Sequence, residues 1–374
     1  MESGQDYQTQ FRELDFCMST GASGNVGTSA VRAAHRFDET ALERWMVENV
    51  PDYRGPLEVA QFNGGQSNPT YRLTTPDRSY VLRRKPPGEL IKGAHAIERE
   101  AEVLAALARA DFPVARFLGL CTDDSVIGSW FYIMDMVEGR IFWDAALTDV
   151  PLTERPAYYD AMNSTIARLH NIDYRAVGLA DFGRPGGYCA RQIARWTQQY
   201  NNDPDAGRDR DMDWLVDWLP THIPADDRAC LTHGDFRIDN IIFHPTEPRV
   251  LAVLDWELST VGHPHADFAY HAMMYHVPPH VVAGLGGADL GALNLPRELD
   301  YLADYCRRTG LDAMPDYGFY LTFNLFRLAA ILHGIKGRAL RGTASSQQAA
   351  ERAKVWPEVA RMARAQVSSE GGFG

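Results

Sequence analysis

The stretch from Leu231 to Glu257, LTHGDFRIDNIIFHPTEPRVLAVLDWE, constrains the chain more than any other. It sets His233-Gly234-Asp235 ahead of Asn240, then an apolar run, a turn at Pro245-Thr246-Glu247-Pro248, and a second apolar run from Val250 to Leu254 that ends at Asp255. Two aliphatic, β-branched runs joined by a proline-bearing turn predict a hairpin. Such a hairpin holds Asp235 and Asn240 at one end and returns Asp255 to the same end. Two carboxylates and one amide oxygen make an oxygen-only set of hard donors, which suits Mg²⁺ bound together with substrate phosphates. Phosphoryl transfer asks for those parts: a carboxylate for the attacking hydroxyl and metal ligands for the phosphates. The competing account is an acidic β-turn, because Asp and Asn are common turn residues.

HGDxxxxN followed by an apolar strand and LDWE resembles the aminoglycoside-phosphotransferase-like kinases, relatives of protein kinases that act on small molecules. The resemblance implies an α+β, bilobal, protein-kinase-like fold with a small β-rich N-lobe and a larger, mainly helical C-lobe. On it we place a flexible extension at 1–36, the N-lobe at 37–137 and the C-lobe at 138–374. It implies Asp235 as the catalytic residue, Asn240 and Asp255 as the Mg²⁺ ligands, and ATP as the phosphoryl donor. His233 and Asp267 are the implied supports of the catalytic loop.

The totals agree with an enzyme of this size. The chain has 374 residues, 45% of them hydrophobic and 23% charged, enough for two domains or lobes with a sizeable core. A net charge of −12 argues against nucleic acid or an anionic membrane as the main partner. Cys17, Cys121, Cys189, Cys230 and Cys306 are odd in number, widely spaced and without a CxxC pair. A disulfide framework or zinc site is therefore not expected, and a reducing cytoplasm fits better. No apolar run approaches the about 18 residues that a membrane span requires, and the first residues carry acids with no hydrophobic segment, so no membrane partner or secretory signal is expected.

The N-terminal half supplies the second group of candidates. Residues 19–30, STGASGNVGTSA, are small and polar, and the extension they belong to reads as disordered or loosely docked. A helical pattern from Phe37 to Val50 precedes strands at Leu57–Phe62, Tyr71–Thr74 and Tyr80–Arg83. Between the first two strands lies Asn63-Gly64-Gly65-Gln66-Ser67-Asn68. A glycine loop there lets backbone N–H groups approach phosphates closely, although most such loops are plain hairpin turns. The resemblance makes Gly64, Gly65, Gln66, Ser67 and Asn68 the nucleotide-covering loop. The next strand ends in Arg83-Arg84-Lys85, and the wider kinase pattern has lysine where Arg83 stands. Arginine also clamps phosphates, and bidentately, so Arg83 and Lys85 both remain candidates for the phosphate contact.

The helix expected from Ala96 to Ala110 narrows that choice. At 100° per residue, Ile97, Ala101, Val103, Leu104, Leu107 and Ala108 make one apolar arc, with Glu98 and Glu102 outside it and Glu100 inside it. A carboxylate on a buried face needs a partner. The kinase arrangement supplies the strand cation, most simply Arg83. Trp130–Val137 reads as a buried strand, and the resemblance makes Met134, Asp135 and Val137 the wall and hinge of the adenine pocket.

Farther on, His170 ends a helical pattern from Pro151 and reads as a helix-end histidine satisfied by backbone or packing. Asp181-Phe182-Gly183 resembles the metal-binding DFG of protein kinases but precedes the HGD loop, so Asp255 takes that role. A helix then carries Arg191, Arg195 and Trp196, and a last apolar helix, Tyr317 to Arg341, carries Arg327. These four are candidate substrate contacts. The acidic stretch 203–217 reads as a solvated loop. Only eleven residues separate Asp255 from Asp267, too few for a long activation loop, and Gly234 stands where protein kinases have the arginine that reads a loop phosphate. We expect a permanently assembled site. His263, His265, His271, His276 and His280 match no zinc spacing.

Within the family, GGQSNPTYRL, YVLRRKPPG, DFGRPGGYCARQIARW and FNLFRLAAILHGIKGRALRG are most similar to the phosphotransferase domain associated with acyl-CoA dehydrogenases. That subgroup implies hydroxyacyl acceptors, 4-hydroxyacyl-CoA thioesters among them. The acidic total charge and the acidic 203–217 run would instead suit a cationic aminoglycoside, and a kinase of another cationic or sugar hydroxyl is the related alternative. A nucleotide-binding pseudokinase and a non-catalytic metabolite-binding protein are the readings from other classes. Oligomeric state has no sequence signal here.

Overall fold

Alternating burial along Thr70–Thr74, and the buried Tyr80 and Leu82 on the strand that follows, mark a sheet with a covered face. The strands are β1 (Thr28–Ser29), β2 (Glu58–Phe62), β3 (Thr70–Thr74), β4 (Ser79–Arg84), β5 (Phe117–Cys121) and β6 (Phe131–Asp135), in spatial order β1-β2-β3-β4-β6-β5 and antiparallel throughout. Tyr71, Leu73, Tyr80, Leu82, Phe131 and Ile133 share a core with Leu42 and Met46 of helix α1 (Glu39–Asn49), which Asp38 caps through the Ala41 N–H at 3.0 Å. Helix α2 (Ile97–Arg109) packs against β5 and β6 and brings the inward-turned Glu100 with it.

The coordinates are a computed structural model, which describes residues 27–63, 68–86, 96–342, 351 and 353–369. They fall into two compact units. The sheet, α1, α2 and the short helix α3 (Asp124–Ile127) belong to the first, which runs to Arg140 and also takes in Ile242–Pro245 and Leu251–Glu257. The second comprises Ile141–Ile241, Thr246–Val250 and Leu258 onward. It holds helices α4 (Arg155–His170), α5 (Tyr188–Asn201), α6 (Arg210–Trp218), α7 (Pro264–Ala272), α8 (Glu298–Thr309), α9 (Tyr317–Leu340) and α10 (Trp356–Ser369). Strand β7 (Cys230–Thr232) pairs antiparallel with β10 (Thr260–Gly262), while β8 (Ile241–Phe243) and β9 (Val250–Val253) pair as the hairpin arms around the proline turn.

Two expectations change. The end of the stretch assigned to a loose extension is packed: Thr28 and Ser29 add an edge strand to β2, and the His35 carbonyl accepts the Tyr71 hydroxyl at 3.0 Å. Sparse apolar content concealed this, because the docking uses backbone and polar contacts. Helix α9 is, by length and composition, apolar enough to cross a membrane, contrary to the run-length reading. Asn324, Arg327 and His333 break its apolar run, yet 94% of its most apolar window is buried inside the protein, against α5, α7 and α10 among others. It is the core helix of its unit.

Candidate active site

In the second unit, the β7–β10 pair presents the loop that begins at His233. Ser259 Oγ donates to the Thr232 carbonyl at 2.8 Å, tying the two strands at the point where the loop leaves. Gly234 has φ +83°, and a Cβ there would lie 2.8 Å from the Leu258 carbonyl oxygen. Glycine is thus required by the backbone itself, a reason independent of any missing phosphorylation signal. The Asp267 carboxylate accepts the His233 and Gly234 N–H groups, each at 2.8 Å, and lies 3.1 Å from His170 Nε2. His170 Nδ1 in turn meets the Tyr305 hydroxyl at 2.7 Å. Burial pushes the Asp267 carboxyl up, but the His170 bond and charge, with His233, outweigh it and the net displacement is downward. His170, which sequence pattern left as an ordinary helix end, is therefore a buried link to the loop's brace. Nothing in the spacing ties residue 170 to residue 267.

Asp235 is held on both oxygens. Oδ1 accepts from the Tyr270 hydroxyl at 2.5 Å and faces Arg237 Nε at 3.1 Å. Oδ2 accepts from Asn240 Nδ2 at 3.1 Å, and the same Nδ2 donates to the Asp235 carbonyl at 2.9 Å. With its nitrogen committed in this way, Asn240 has an Oδ1 that meets no donor among the described residues. Arg237 also reaches Asp239 Oδ2 at 3.1 Å. Neither Tyr270 nor Arg237 stood out in the sequence. Arg237 lies inside the HGDxxxxN motif, two residues past Asp235, and that proximity was the available signal.

In the first unit, Arg83 Nε lies 3.1 Å from Glu100 Oε2, the partner that the kinase resemblance implied for the inward-turned glutamate. Glu100 is only 2% exposed; Asn68 Nδ2 donates to its Oε1 at 3.1 Å and the Tyr132 hydroxyl to its Oε2 at 3.0 Å. Lys85 is taken elsewhere: its Nζ sits 2.9 Å from Glu98 Oε2 and over the Trp130 ring. The Arg83 guanidinium also meets Asp255 Oδ1 at 3.1 Å and Glu257 Oε2 at 3.2 Å. One cation thus faces three carboxylates. Burial first, then the Asp255 charge, pushes the Glu100 carboxyl up to about 7, against the pull of Arg83, Tyr132 and Asn68. Asp255 has φ +63°, a left-handed conformation that is uncommon for a non-glycine residue and found at functional turns. The adjoining Trp256 anchors it, its buried indole donating to the Val253 carbonyl at 2.9 Å and packing edge-on against Phe112. An anionic excess beside partly exposed carboxylate oxygens fits a divalent cation with oxygen ligands.

Of the expected hinge, Asp135 N–H bonds the Arg116 carbonyl and Met136 N–H the Ser79 carbonyl, at 2.9 and 3.2 Å. Val137 N–H has no acceptor among the described residues, which leaves it available to a ligand edge. The Asp135 side chain pairs with Arg78 and lines a cavity of about 450 Å³ with Ser79, Met136 and Glu138. Met134 is half-buried on β6. Gly64, Gly65, Gln66 and Ser67 lie outside the described residues.

Two of the four candidate substrate contacts, Trp196 and Arg327, need correction. Trp196 is 2% exposed with its indole bonded to Gln192 Oε1, so it packs α5 into the core. Arg327, 6% exposed, donates to the Gly234 carbonyl at 3.0 Å and lies over the Tyr270 ring, supporting from α9 the loop that carries Asp235. Arg191 holds the Gly186 and Arg184 carbonyls of the preceding loop, and Arg195 lies over the Trp196 ring. The histidines disperse among partners: His271 to Tyr301, His276 to Glu298, His280 to Glu358. His263, His265 and Asp226 come together, but His263 Nδ1 accepts the His265 N–H at 3.2 Å. The neutral His263 ring then carries its proton on Nε2, toward Tyr320 and Asp226, where a metal would need a lone pair.

Comparison with known proteins agrees with this anatomy. A model of the phosphotransferase enzyme family, APH, matches residues 58–302. Acyl-CoA dehydrogenase family member 11 of Gallus gallus is 46% identical over 341 residues, covering 88% of this chain and 43% of that protein. Against member 10 of Mus musculus, 41% identical over 351 residues, the shares are 93% and 33%. The chain thus spans less than half the length of these curated relatives. A solved structure from Ralstonia eutropha, described as a candidate aminoglycoside phosphotransferase, superposes with a TM-score of 0.83 at 50% identity, over 89% of this chain and 99% of that one. The chain belongs to the phosphotransferase enzyme family and has its kinase-like fold.

Proposed function

We propose that the chain is an ATP- and Mg²⁺-dependent small-molecule kinase that transfers the γ-phosphoryl group to a hydroxyl of its acceptor. Asp235 orients that hydroxyl and takes its proton as the oxygen bonds to phosphorus and the bond to the ADP oxygen breaks. Asn240 and Asp255 would hold Mg²⁺, which when bound would neutralise charge on the phosphates. Arg83, kept in place by Glu100, binds the phosphates, and Val137 N–H with the Asp135 backbone addresses the adenine edge. The observation that carries this reading is the anionic excess around Arg83: three carboxylates converge on one guanidinium, an arrangement that a divalent cation completes.

For the acceptor we favour a hydroxyacyl-CoA, of the 4-hydroxyacyl kind. The support is the naming of the relatives that align over 88–93% of this chain as acyl-CoA dehydrogenase family members, which links the phosphotransferase region to acyl-thioester chemistry. The description of the Ralstonia structure favours the second reading, an aminoglycoside acceptor. A γ-phosphate transfer screen with mass detection over hydroxyacyl-CoAs, aminoglycosides, choline and sugars separates them. Phosphorylation of hydroxyacyl-CoAs alone is the expected result. Phosphorylation of aminoglycosides alone would overturn the acceptor assignment, and transfer to none of them, with no MgATP binding, would overturn the kinase.

A further inference from the structure

Helix α7 reaches the catalytic loop at three points. Asp267 accepts the loop's backbone N–H groups, the His271 ring meets the Phe236 carbonyl at 3.2 Å, and Tyr270, one turn beyond Asp267, places its hydroxyl 2.5 Å from Asp235 Oδ1. Tyr270 is 1% exposed, and the Arg327 guanidinium stands 4.9 Å from its ring centroid while bonding the Gly234 carbonyl. Resting on the kinase reading above, we propose that Tyr270 is a positioning residue that selects which oxygen of Asp235 receives the acceptor's proton. Oδ1 accepts the Tyr270 hydroxyl and is covered by the Arg237 guanidinium, whose Nε stands 3.1 Å away as a charge contact. Oδ2 accepts a single bond, from Asn240, and keeps a lone pair. The acceptor hydroxyl therefore addresses Oδ2.

The donor in the Tyr270–Asp235 bond is the phenol. Burial, and after it the charge of Asp235, push its ionisation well above the ordinary tyrosine value, so the hydroxyl keeps its proton and the carboxylate accepts. Arg327 over the ring favours donation, because a cation on the π face polarises the O–H outward. Without the hydroxyl, the Asp235 carboxylate loses its one hydrogen bond on Oδ1 and is held only by Asn240 Nδ2 on Oδ2 and by the Arg237 charge, which restrain rotation about its Cβ–Cγ bond less tightly. The lone pair at Oδ2 then no longer has one direction. Small losses of alignment at the reacting atom reduce rate rather than binding.

The test uses Tyr270→Phe in the full chain with MgATP, water serving as the acceptor, and phosphate release as the readout. We expect release to slow by on the order of 10- to 100-fold, with KM for MgATP changed by less than about twofold. A second measurement does not depend on turnover: the proton of the Tyr270–Asp235 bond should give a low-field ¹H resonance, outside the amide envelope, that is lost in both Tyr270→Phe and Asp235→Asn. If Tyr270→Phe retains every low-field resonance, the bond is absent and the proposal falls. It falls equally if the resonance disappears while release keeps its wild-type rate, because Tyr270 then only fills space. Absence of release from the wild type would count against the kinase reading, and the resonance would still decide whether Tyr270 holds Asp235.

Discussion

The Arg83 cluster and the Asp235 cluster are both buried arginine–carboxylate groups, and they differ in charge balance. Around Arg83, three carboxylates share one guanidinium. Around Asp235, two carboxylates, Asp235 and Asp239, meet Arg237, with Arg327 adjoining on the Gly234 carbonyl, so acids and arginines are even. The balanced cluster is complete as it stands: it fixes the rotamer of one carboxylate and needs no further ion. The unbalanced cluster is stable only with a carboxyl raised toward neutrality or with an added cation. That contrast supports the proposed division, with proton transfer at one group and metal-phosphate binding at the other.

The largest expected effect breaks the balanced side. Replacing Asp235 by Asn keeps its shape and removes its basicity, and phosphoryl transfer to the acceptor found by the screen should fall by on the order of 10²–10⁴. Transfer within a factor of two of wild type would remove Asp235 from the proton's path. Next comes the unbalanced side, through a double-mutant cycle with Arg83→Ala and Glu100→Ala on ATP-dependent turnover. Breaking a buried pair typically costs ~3–5 kcal/mol, and a site that admits nucleotide should give a coupling somewhat below that range. Because Lys85 is committed to Glu98, the same cycle with Lys85→Ala should show additivity. Coupling that appears with Lys85 and not with Arg83 would reverse the assignment.

A smaller effect concerns the loop geometry beneath Asp235. Gly234→Ala forces a Cβ against the Leu258 carbonyl at positive φ, and denaturant unfolding should show a loss of more than about 1 kcal/mol. An unchanged midpoint would mean that the backbone has an easy alternative. The smallest effect is a pH dependence. Glu100 is raised in the folded protein to about 7 from an ordinary 4.5. A raised folded value means that its stabilisation is full below the ordinary value and is lost as pH rises through about 7. The thermal midpoint of the wild type relative to Glu100→Gln should accordingly decline from about pH 5 to about pH 8. A difference independent of pH in the absence of nucleotide would contradict the charge excess.

Local pattern carried much of this anatomy. Periodicity turned Glu100 inward and left Glu98 and Glu102 out, and the two apolar runs around Pro245–Pro248 pair as a hairpin. What sequence could not convey was contact between residues far apart along the chain. His170 reaches Asp267, Tyr270 reaches Asp235, and Arg327 reaches Gly234, and none of these separations has a periodic signature. Arg327 and Trp196 illustrate the cost: a cation on an apolar helix and an aromatic among arginines read as substrate contacts, whereas tertiary packing buries both. The edge strand at Thr28–Ser29 escaped notice for the opposite reason, since backbone pairing leaves no mark on composition.

The contrast between the two clusters is tested most directly by calorimetric titration of ATP, with and without Mg²⁺, into the wild type, Asp255→Ala and Asp235→Asn. Asp255→Ala should lose the Mg²⁺-dependent part of nucleotide binding, because it removes a ligand from the anionic cluster, while Asp235→Asn should bind MgATP nearly as the wild type does. Intact Mg²⁺-dependent binding in Asp255→Ala, together with its loss in Asp235→Asn, would place the metal on the other cluster and contradict the account.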